Sequence, residues 1–379
     1  AIGSEEALKT RYRARRKIPG HARILLPGLI NGHTHAAMTL FRGIADDRDL
    51  MDWLVNYIFP LENRFVDHEF VRVGTQLACW EMIAGGTTTF VDMYHFPEAV
   101  AEVVADCGLR AVVAAAVIEQ QSPYADNWQQ SIAKAVKFAR HWRNRNPRIT
   151  PALGPHAAYT ITPPRLREIR RLANDLRLPI SIHVAETRAE VADIRDRYGR
   201  TPVRHLETLG FFQGRTIAAH VVWPEPREIA LLAKAGVGVI HNPSSNLKLA
   251  SGIAPVTKML AAGINVGLGT DGAASNNDLD MWEEMRLAAV VQKADDRVGA
   301  LTVGRRADMI QVSLSAARML PLYDVVSHLV YVTHADDVQT VIVDGRILMQ
   351  DRVLGTLDTE RIRAAVARLA ARLTAAAAE

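Results

Sequence analysis

The chain has 379 residues, of which 49% are hydrophobic and 23% charged, a balance typical of a globular protein with one large domain and an appendage. Its 45 basic and 41 acidic residues leave a net charge of +4, and much of the excess lies in residues 9–17, which resemble a solvated surface segment without a nucleic-acid motif. Two cysteines, no signal peptide and no apolar run long enough for a bilayer exclude a disulfide framework and a membrane span, so we expect a cytoplasmic protein.

Short β-type runs alternate with longer helical patterns from Leu29 to Gly272. The eight predicted strands are Leu29–Asn31, Thr87–Tyr94, Arg110–Glu119, Ile149–His156, Pro179–Glu186, Thr216–Val222, Gly236–His241 and Ile264–Thr270. Helix-period segments between them include Phe70–Ala84, Asn127–Trp142, Pro164–Leu176 and Pro226–Ala235. Eight such units predict an α/β fold, a (β/α)8 TIM-like barrel. A doubly wound open sheet is the alternative, but the glycine-rich phosphate-binding pattern expected after its first strand is not visible.

The two flanks of this repeat contain β-type runs instead. These runs are Ala22–Leu26, Met309–Ser313, Gln339–Val343 and Arg346–Gln350, with Asp344-Gly345 as a hairpin turn. We therefore predict a small β-sandwich domain built from residues 1–27 and 299–356 beside a barrel domain of residues 28–298. Residues 357–379 are predicted to form an amphipathic C-terminal helix.

Side chains that can bind a metal recur at the carboxyl ends of the predicted strands. His33 and His35 follow the first strand, and because they are two residues apart in an extended chain, both can face one ion. Barrel active sites lie at this end of the strands, so the later residues there are expected to converge with them; these are His156, His183, His220, His241 and Asp271. The imidazoles of His33, His35 and His183 with the carboxylate of Asp271 suit Zn²⁺ or another divalent transition metal and leave room for a water. Such an ion lowers the pKa of bound water to about 7.

Glu186 lies three residues beyond His183 and just past the end of a predicted strand. From there it can turn back toward the ion without binding it, which is the position of a general acid that protonates a ring nitrogen. The alternative is a surface glutamate that opens the next helix, where the helix dipole favours acids. The residues alone leave both interpretations open. Cysteine ligation is not expected, because Cys79 and Cys107 are far apart in the sequence and neither belongs to a Cys-x-x-Cys motif.

Two stretches of sequence carry a family resemblance. Residues 27–35 (PGLINGHTH) with residues 40–47 (LFRGIADD), and residues 241–255 (HNPSSNLKLASGIAP) with residues 267–277 (GLGTDGAASNN), resemble the 5'-methylthioadenosine/S-adenosylhomocysteine deaminases of the amidohydrolase superfamily. The resemblance spans nearly the whole chain. The fourth strand ends in Gly154-Pro155-His156, without the lysine that bridges a second metal in other amidohydrolases, so one metal is expected.

The resemblance implies a specific role for each matched residue. It implies one Zn²⁺ per subunit on His33, His35, His183 and Asp271, with Fe²⁺ or another divalent metal as the alternative. It implies that Glu186 transfers a proton at the purine ring and that His220, with Asp271, aligns the attacking water. The implied nucleoside contacts are Glu62 to the ribose hydroxyls, His156 to the nucleoside, Ser275, Glu186 and Asp271 near the ring, and Trp53, in the run Met51-Asp52-Trp53-Leu54, over the adenine or its 5' substituent. Without the resemblance, the sequence pattern predicts that Glu62 lies on a helix surface.

The implied reaction is hydrolytic deamination of the adenine ring of 5'-methylthioadenosine, S-adenosylhomocysteine or adenosine, which gives an inosine-type product and ammonia. Relatives that act on S-adenosylhomocysteine are expected to carry arginine before the fourth strand, yet residues 125–131 (ADNWQQS) hold no basic residue. Arg140 and Arg143 follow, on a helix face that is predicted to be exposed to solvent. We therefore expect the neutral-tailed 5'-methylthioadenosine or adenosine to be preferred.

A second departure lies after Ala294, where the family continues with a helical segment, whereas here Asp295 leads directly into Gly299. The chain likewise begins inside the predicted small domain, and the sequence leaves open whether residues are absent before Ala1 and between Ala294 and Asp295. Other metal hydrolases on the same scaffold, namely guanine, cytosine or pterin deaminases and triazine dechlorinases, are the nearest alternatives, although Glu62 argues for a ribosyl substrate. A metal-binding protein without turnover is a further alternative. The expected partner is a small-molecule nucleoside, and a homo-oligomer is expected.

Overall fold

The computed structural model describes residues 3–292 and 308–377. Within these residues, eight parallel strands lie side by side in chain order and form a nearly closed barrel. Strand β1 precedes them at Arg23–Pro27. The barrel strands are β2 Leu29–Thr34, β3 Thr87–Tyr94, β4 Arg110–Val117, β5 Ile149–Pro155, β6 Ile180–Val184, β7 Thr216–His220, β8 Gly238–His241 and β9 Val266–Leu268. The predicted TIM-like barrel is confirmed, and each predicted barrel strand overlaps the observed one.

Sixteen α-helices occur in the described part of the chain, most of them on the outside of the barrel. They are α1 Glu5–Arg11, α2 Leu50–Asp52, α3 Phe59–Phe65, α4 His68–Gly85, α5 Pro97–Cys107, α6 Trp128–Trp142, α7 Pro163–Asp175, α8 Arg188–Tyr198, α9 Pro202–Thr208, α10 Pro226–Lys234, α11 Pro243–Lys248, α12 Val256–Ala261, α13 Ala273–Asn276, α14 Met281–Val291, α15 Val325–Tyr331 and α16 Thr359–Ala377. A π-helical segment, Trp53–Ile58, joins α2 to α3. None of these helices has the length and apolar character needed to cross a membrane.

The barrel strands are buried on both faces, which explains their composition. Strand β4 (RAVVAAAV) is almost entirely apolar because helices cover its outer face and the barrel interior covers the other. Inside the barrel, Met93, Ala114 and Ala152 pack together and fill the lumen with side chains. The functional residues therefore lie at the end of a packed core.

Side-chain and backbone hydrogen bonds join the last barrel strand to the first. The backbone N–H of Asp271 donates to the carbonyl of His33 at 2.9 Å. The side-chain amide of Asn31 accepts from the N–H of Thr270 at 3.1 Å and donates to its hydroxyl at 2.7 Å. Because these bonds connect the segment after β9 to β2, they bring the carboxylate of Asp271 beside the histidines that end β2.

The flanks form a five-stranded antiparallel sheet beside the barrel. Its order is β1, β10 Met309–Ser313, β11 Val338–Val343, β12 Arg346–Gln350 and β13 Val353–Leu354. Asp344 and Gly345 have left-handed backbones (φ 51° and 77°) in the tight turn between β11 and β12, as the Asp-Gly pair predicts. The flanks, predicted as a small β-sandwich, form this one antiparallel sheet within the described residues, and the predicted C-terminal helix is observed as α16. The domain boundaries stay a prediction, since residues 293–307, which include the departure from the family pattern after Ala294, lie outside the described residues.

Candidate active site and metal centre

Four side chains that can bind a metal converge at the carboxyl end of the barrel. Nε2 of His183, on β6, lies 3.1 Å from Nε2 of His33 and 3.3 Å from Nε2 of His35. His33 lies at the end of β2, and His35 directly follows that strand. Oδ1 of Asp271 lies 3.4 Å from Nε2 of His33 and 3.1 Å from Nε2 of His35. One ligand atom from each of the four residues lies within 4.8 Å of the others. Three imidazole nitrogens and one carboxylate oxygen form a donor set suited to a divalent transition metal.

Hydrogen bonds to the backbone orient two of the histidine rings. Nδ1 of His183 donates to the carbonyl of His156 at 2.7 Å, and Nδ1 of His35 donates to the carbonyl of Met93. Each bond places an N–H on Nδ1 and turns Nε2 toward the centre of the cluster. Burial lowers the pKa of His33 to about 4 and holds that of His183 well below its usual range, so both rings are neutral and can act as ligands. Burial also acts to lower the pKa of His35, but its hydrogen bond to Asp271 raises that pKa to about 9, so a metal ion at this site would displace a proton from the His35 ring.

Two hydroxyl groups hold the carboxylate of Asp271. Its Oδ2 accepts from Ser245 at 2.7 Å and from Ser275 at 2.9 Å, which leaves Oδ1 as the atom that faces the histidines. Although burial raises the pKa of Asp271, hydrogen bonds from His33 and His35 and the charge of His35 lower it well below its usual range. This carboxylate is therefore ionised. The donor set of the cluster, the ring orientations and the ionised aspartate all fit a divalent metal ion.

A cavity opens beside this cluster. One wall is apolar and is built largely by α2, the π-helical segment and the start of α3, which contribute Leu50, Trp53, Leu54, Ile58 and Phe59. Trp53 is buried, and its indole N–H has no hydrogen-bond partner among the described residues. The predicted apolar cover is therefore present in part: Trp53 and Leu54 line the cavity, whereas Met51 is 41% exposed.

Two groups able to move protons lie beside the metal cluster. Glu186 is only 4% exposed, so it is not the surface residue of the alternative interpretation. Its Oε2 lies 3.7 Å from Nε2 of His220, and its Oε1 accepts from Ser251 at 3.3 Å. Burial raises the pKa of Glu186 above its usual value, which favours the protonated acid. Nδ1 of His220 lies 2.8 Å from Oδ1 of Asn246, an arrangement that directs Nε2 of the same ring toward Glu186.

Glu62 lies across the cavity from Glu186, and it is buried rather than on a helix surface. Its Oε1 accepts from the hydroxyl of Tyr94 at 2.7 Å, and its Oε2 lies 3.9 Å from Nε2 of His95. Burial raises the pKa of Glu62, but His95 and Tyr94 together lower it below its usual value, so the carboxylate is ionised. Tyr94 and His95 were missed in the sequence, although they occupy the carboxyl end of β3, where the same strand-end argument could have found them.

The structure places the remaining predicted residues as follows. His156 lines the cavity, and its Nδ1 lies 3.2 Å from the hydroxyl of Thr160. Ser275 also lines the cavity, but its hydroxyl is directed at Asp271. His33 is fully buried beneath the cavity. His241, at the end of β8, lies behind His220, with its Nδ1 3.4 Å from Nδ2 of Asn246.

The structure is an eight-stranded parallel barrel whose strand ends bring three histidines and one aspartate together beside a cavity. This arrangement defines the class of metal-dependent barrel hydrolases. Comparison with known proteins gives the family. The chain belongs to the amidohydrolase family, whose model matches residues 24–295, and the resemblance seen in the sequence is confirmed.

Curated relatives cover most of the chain. The 5-methylthioadenosine/S-adenosylhomocysteine deaminase of Carboxydothermus hydrogenoformans is 45% identical in an alignment of length 373 that covers 91% of this chain and 85% of the relative. The enzyme of the same name from Thermococcus onnurineus is 42% identical in an alignment of length 363 that covers 89% of this chain and 85% of the relative.

Solved structures share the architecture. An adenosine deaminase from Xanthomonas campestris with bound zinc superposes with a TM-score of 0.90 at 38% identity and covers 93% of this chain and 87% of its own. The atrazine chlorohydrolase of Arthrobacter aurescens complexed with zinc gives a TM-score of 0.82 at 24% identity, covering 92% and 88%. At 24% identity, the similarity to the atrazine chlorohydrolase shows only that the two proteins share a fold.

Proposed function

We propose that the protein is a zinc-dependent aminohydrolase that deaminates the adenine ring of 5'-methylthioadenosine, with adenosine and S-adenosylhomocysteine as related substrates. The products are the inosine-type nucleoside and ammonia. The observation that carries this proposal is the presence of Glu62 in the same cavity as the cluster of three histidines and one aspartate. An ionised carboxylate in the same cavity as the cluster suits the hydroxyls of a ribosyl substrate, which a free base lacks. The names of the relatives support the same substrate class.

His33, His35, His183 and Asp271 would hold one Zn²⁺. When bound, such an ion supplies an activated water at neutral pH and polarises the reacting centre. The zinc in the Xanthomonas campestris structure supports this choice of metal.

The proton transfers are assigned to Glu186 and His220. Glu186, whose pKa burial raises, donates a proton to a ring nitrogen of the purine as the amidine carbon is attacked. His220 directs Nε2 into the site, takes up the proton that the attacking water loses and passes it to the amino group that leaves as ammonia, while Glu186 regains a proton from the new hydroxyl. Both groups lie at the strand ends beside the metal cluster, so one bound ring can reach both.

The nucleoside is held on the opposite side of the cavity. Glu62, kept in place by Tyr94, accepts hydrogen bonds from the ribose hydroxyls, and His156 contacts the nucleoside. Trp53 covers the adenine or its 5' substituent, and Ser275 borders the ring near Asp271. The apolar wall suits a neutral thioether tail.

Ammonia release measured with zinc supplied tests the substrate class. We expect turnover of 5'-methylthioadenosine and adenosine and none of guanine or cytosine. Glu186→Gln is expected to retain zinc yet lose about 10²–10⁴ in kcat, because the amide cannot donate the proton. Near wild-type turnover by this variant would show that Glu186 is not the proton donor, and turnover of a free base alone would contradict the ribosyl assignment.

A free-base, pterin or triazine substrate and a metal-binding role without turnover are the alternatives, and no specific contact in the site favours either. A homo-oligomeric assembly and a cytoplasmic location stay predictions.

A further inference from the structure

A second buried glutamate lies directly behind Glu186. Glu190 is 5% exposed and belongs to the first turn of α8. Its Oε1 accepts from the backbone N–H of Ala185 at 3.0 Å, and its Oε2 accepts from the backbone N–H of Glu186 at 2.7 Å. One carboxylate therefore binds two successive peptide groups, the second of which belongs to the proposed proton donor.

The same peptide segment is fixed from its other side. The carbonyl of Ala185 accepts from the N–H groups of Val222 and Trp223, each at 3.0 Å. Ala185 has a left-handed backbone (φ 50°), a conformation that costs free energy in a residue with a side chain and persists only where the surroundings impose it. The turn that carries Glu186 is thus strained and is held by hydrogen bonds to both its N–H and its C=O groups.

We propose that Glu190 is the positioning residue for Glu186: its carboxylate fixes the strained Ala185–Glu186 turn and so directs the reacting carboxyl into the cavity. This inference rests on the proposed function, because it assigns Glu190 a role in the same proton transfer. Glu190 itself does not line the cavity.

Ordinary helix capping does not account for this contact. The hydroxyl of Thr187 already caps α8 by accepting from the N–H of Glu190 at 3.1 Å. In a capping box, the glutamate three residues into the helix binds the backbone N–H of the capping residue, here Thr187. The two hydrogen bonds of Glu190 described above go instead to Ala185 and Glu186, the two residues before Thr187. Burial raises the pKa of Glu190 to about 8, although the backbone N–H donors act to lower it, so the neutral carboxyl group is also present near neutral pH and still offers two oxygen acceptors.

The chain offers a matched control in the next βα unit. Glu228 occupies the equivalent position in α10, is fully buried, and accepts from the backbone N–H of Glu225 at 2.6 Å and from the hydroxyl of Thr201. Glu225 lies outside the cavity that contains Glu186. Glu228 therefore shares the structural role of a buried capping glutamate but has no contact with the proton donor.

The experiment compares Glu190→Gln with Glu228→Gln in the zinc-loaded enzyme. Glutamine at position 190 has one acceptor oxygen for two N–H groups, so we expect a loss of about 10²-fold in kcat, with KM within threefold and zinc content unchanged. Glu228→Gln is expected to lower the melting temperature without changing kcat by more than threefold. Equal effects of the two variants on kcat would overturn the proposal.

A double-variant series tests whether Glu190 acts through Glu186. In the Glu186→Gln background, adding Glu190→Gln is expected to lower kcat by less than threefold further, because the group being positioned is already gone. A full second loss of about 10²-fold would overturn the proposal. Glu190→Asp, which keeps the carboxylate but withdraws it by one methylene, is the milder variant if glutamine prevents folding, and it should also lower kcat and leave KM unchanged. Failure of the wild-type enzyme to release ammonia would instead contradict the proposed function.

Discussion

The hydroxyl of Ser245 donates to Oδ2 of Asp271 at 2.7 Å, and it does so from α11, a short helix that follows β8. Ser275 reaches the same oxygen from α13, so two helices on either side of β9 fix one carboxylate. Hydrogen bonds of this kind orient a metal ligand and set how strongly it binds. The contact links residues 241–246 (HNPSSN), part of the stretch that carries the family resemblance, to the metal centre.

Ser245→Ala is expected to weaken zinc binding about 10- to 100-fold, because Oδ2 of Asp271 loses its closest donor and the carboxylate can rotate. Competition with a chelator of known zinc affinity measures this change, and saturating zinc should restore most of the activity. Ser244→Ala is the matched control, since the hydroxyl of Ser244 has no hydrogen-bond partner among the described residues. Equal zinc affinity in the two variants would refute the role given to Ser245.

Much of the barrel and the metal cluster could be predicted, because both depend on patterns local in sequence. Apolar runs separated by helical segments specify the strands, and a polar residue at the end of a run lies at the end of a strand. His183 and Asp271 are almost ninety residues apart, yet each follows its own strand, so their convergence needs only the fold. The register of β2 then decides that His33 and His35 meet them.

The nucleoside side of the cavity was harder to predict, because tertiary contacts decide it. Glu62 belongs to α3, where a charged residue usually faces solvent, and only the hydroxyl of Tyr94 shows why it is buried. The π-helical segment Trp53–Ile58 changes the spacing of side chains just before α3, so a period of 3.6 residues cannot assign the faces there. Glu190 was missed because its partners are backbone N–H groups, which leave no signal in the sequence.

Tyr94→Phe is expected to raise KM for adenine nucleosides about tenfold with little change in kcat. The substitution removes the donor that holds Oε1 of Glu62, and a hydrogen bond to a charged group contributes about 1.5–3 kcal/mol. Steady-state kinetics with 5'-methylthioadenosine measures the effect. Tyr124→Phe is the control, because the hydroxyl of Tyr124 also donates to a carboxylate, that of Glu98 at 2.9 Å, but outside the cavity. A loss confined to kcat would contradict a substrate-holding role for Glu62.

5'-Methylthioadenosine is expected to exceed S-adenosylhomocysteine at least tenfold in kcat/KM. No lysine or arginine is among the described residues that line the cavity, so the carboxylate of the longer tail would lose water without gaining a partner. A neutral 5'-alkylthioadenosine with a tail of similar length separates charge from size, and it should react more like 5'-methylthioadenosine. A clear advantage for S-adenosylhomocysteine would refute the preference for a neutral tail.

Glu284 is expected to make the free energy of unfolding fall as the pH rises. It is fully buried in α14, where it accepts from Asn276 at 2.7 Å, and burial raises its pKa from 4.5 to about 8. Between these two pH values the folded chain holds a proton that the unfolded chain has lost, so each pH unit upward costs about 1.4 kcal/mol through this residue.

Glu284→Gln removes this titration, so its stability relative to the wild type should increase from pH 5.5 to 7.5 with that slope. Urea unfolding at several pH values, with zinc held constant, measures the difference. Glu283→Gln, at the exposed neighbouring position, is the comparison for the loss of one carboxyl group from the same helix. A flat difference for Glu284→Gln would mean that the carboxyl is ionised in the folded protein, with its charge balanced by Asn276 and by the N–H of Ser244.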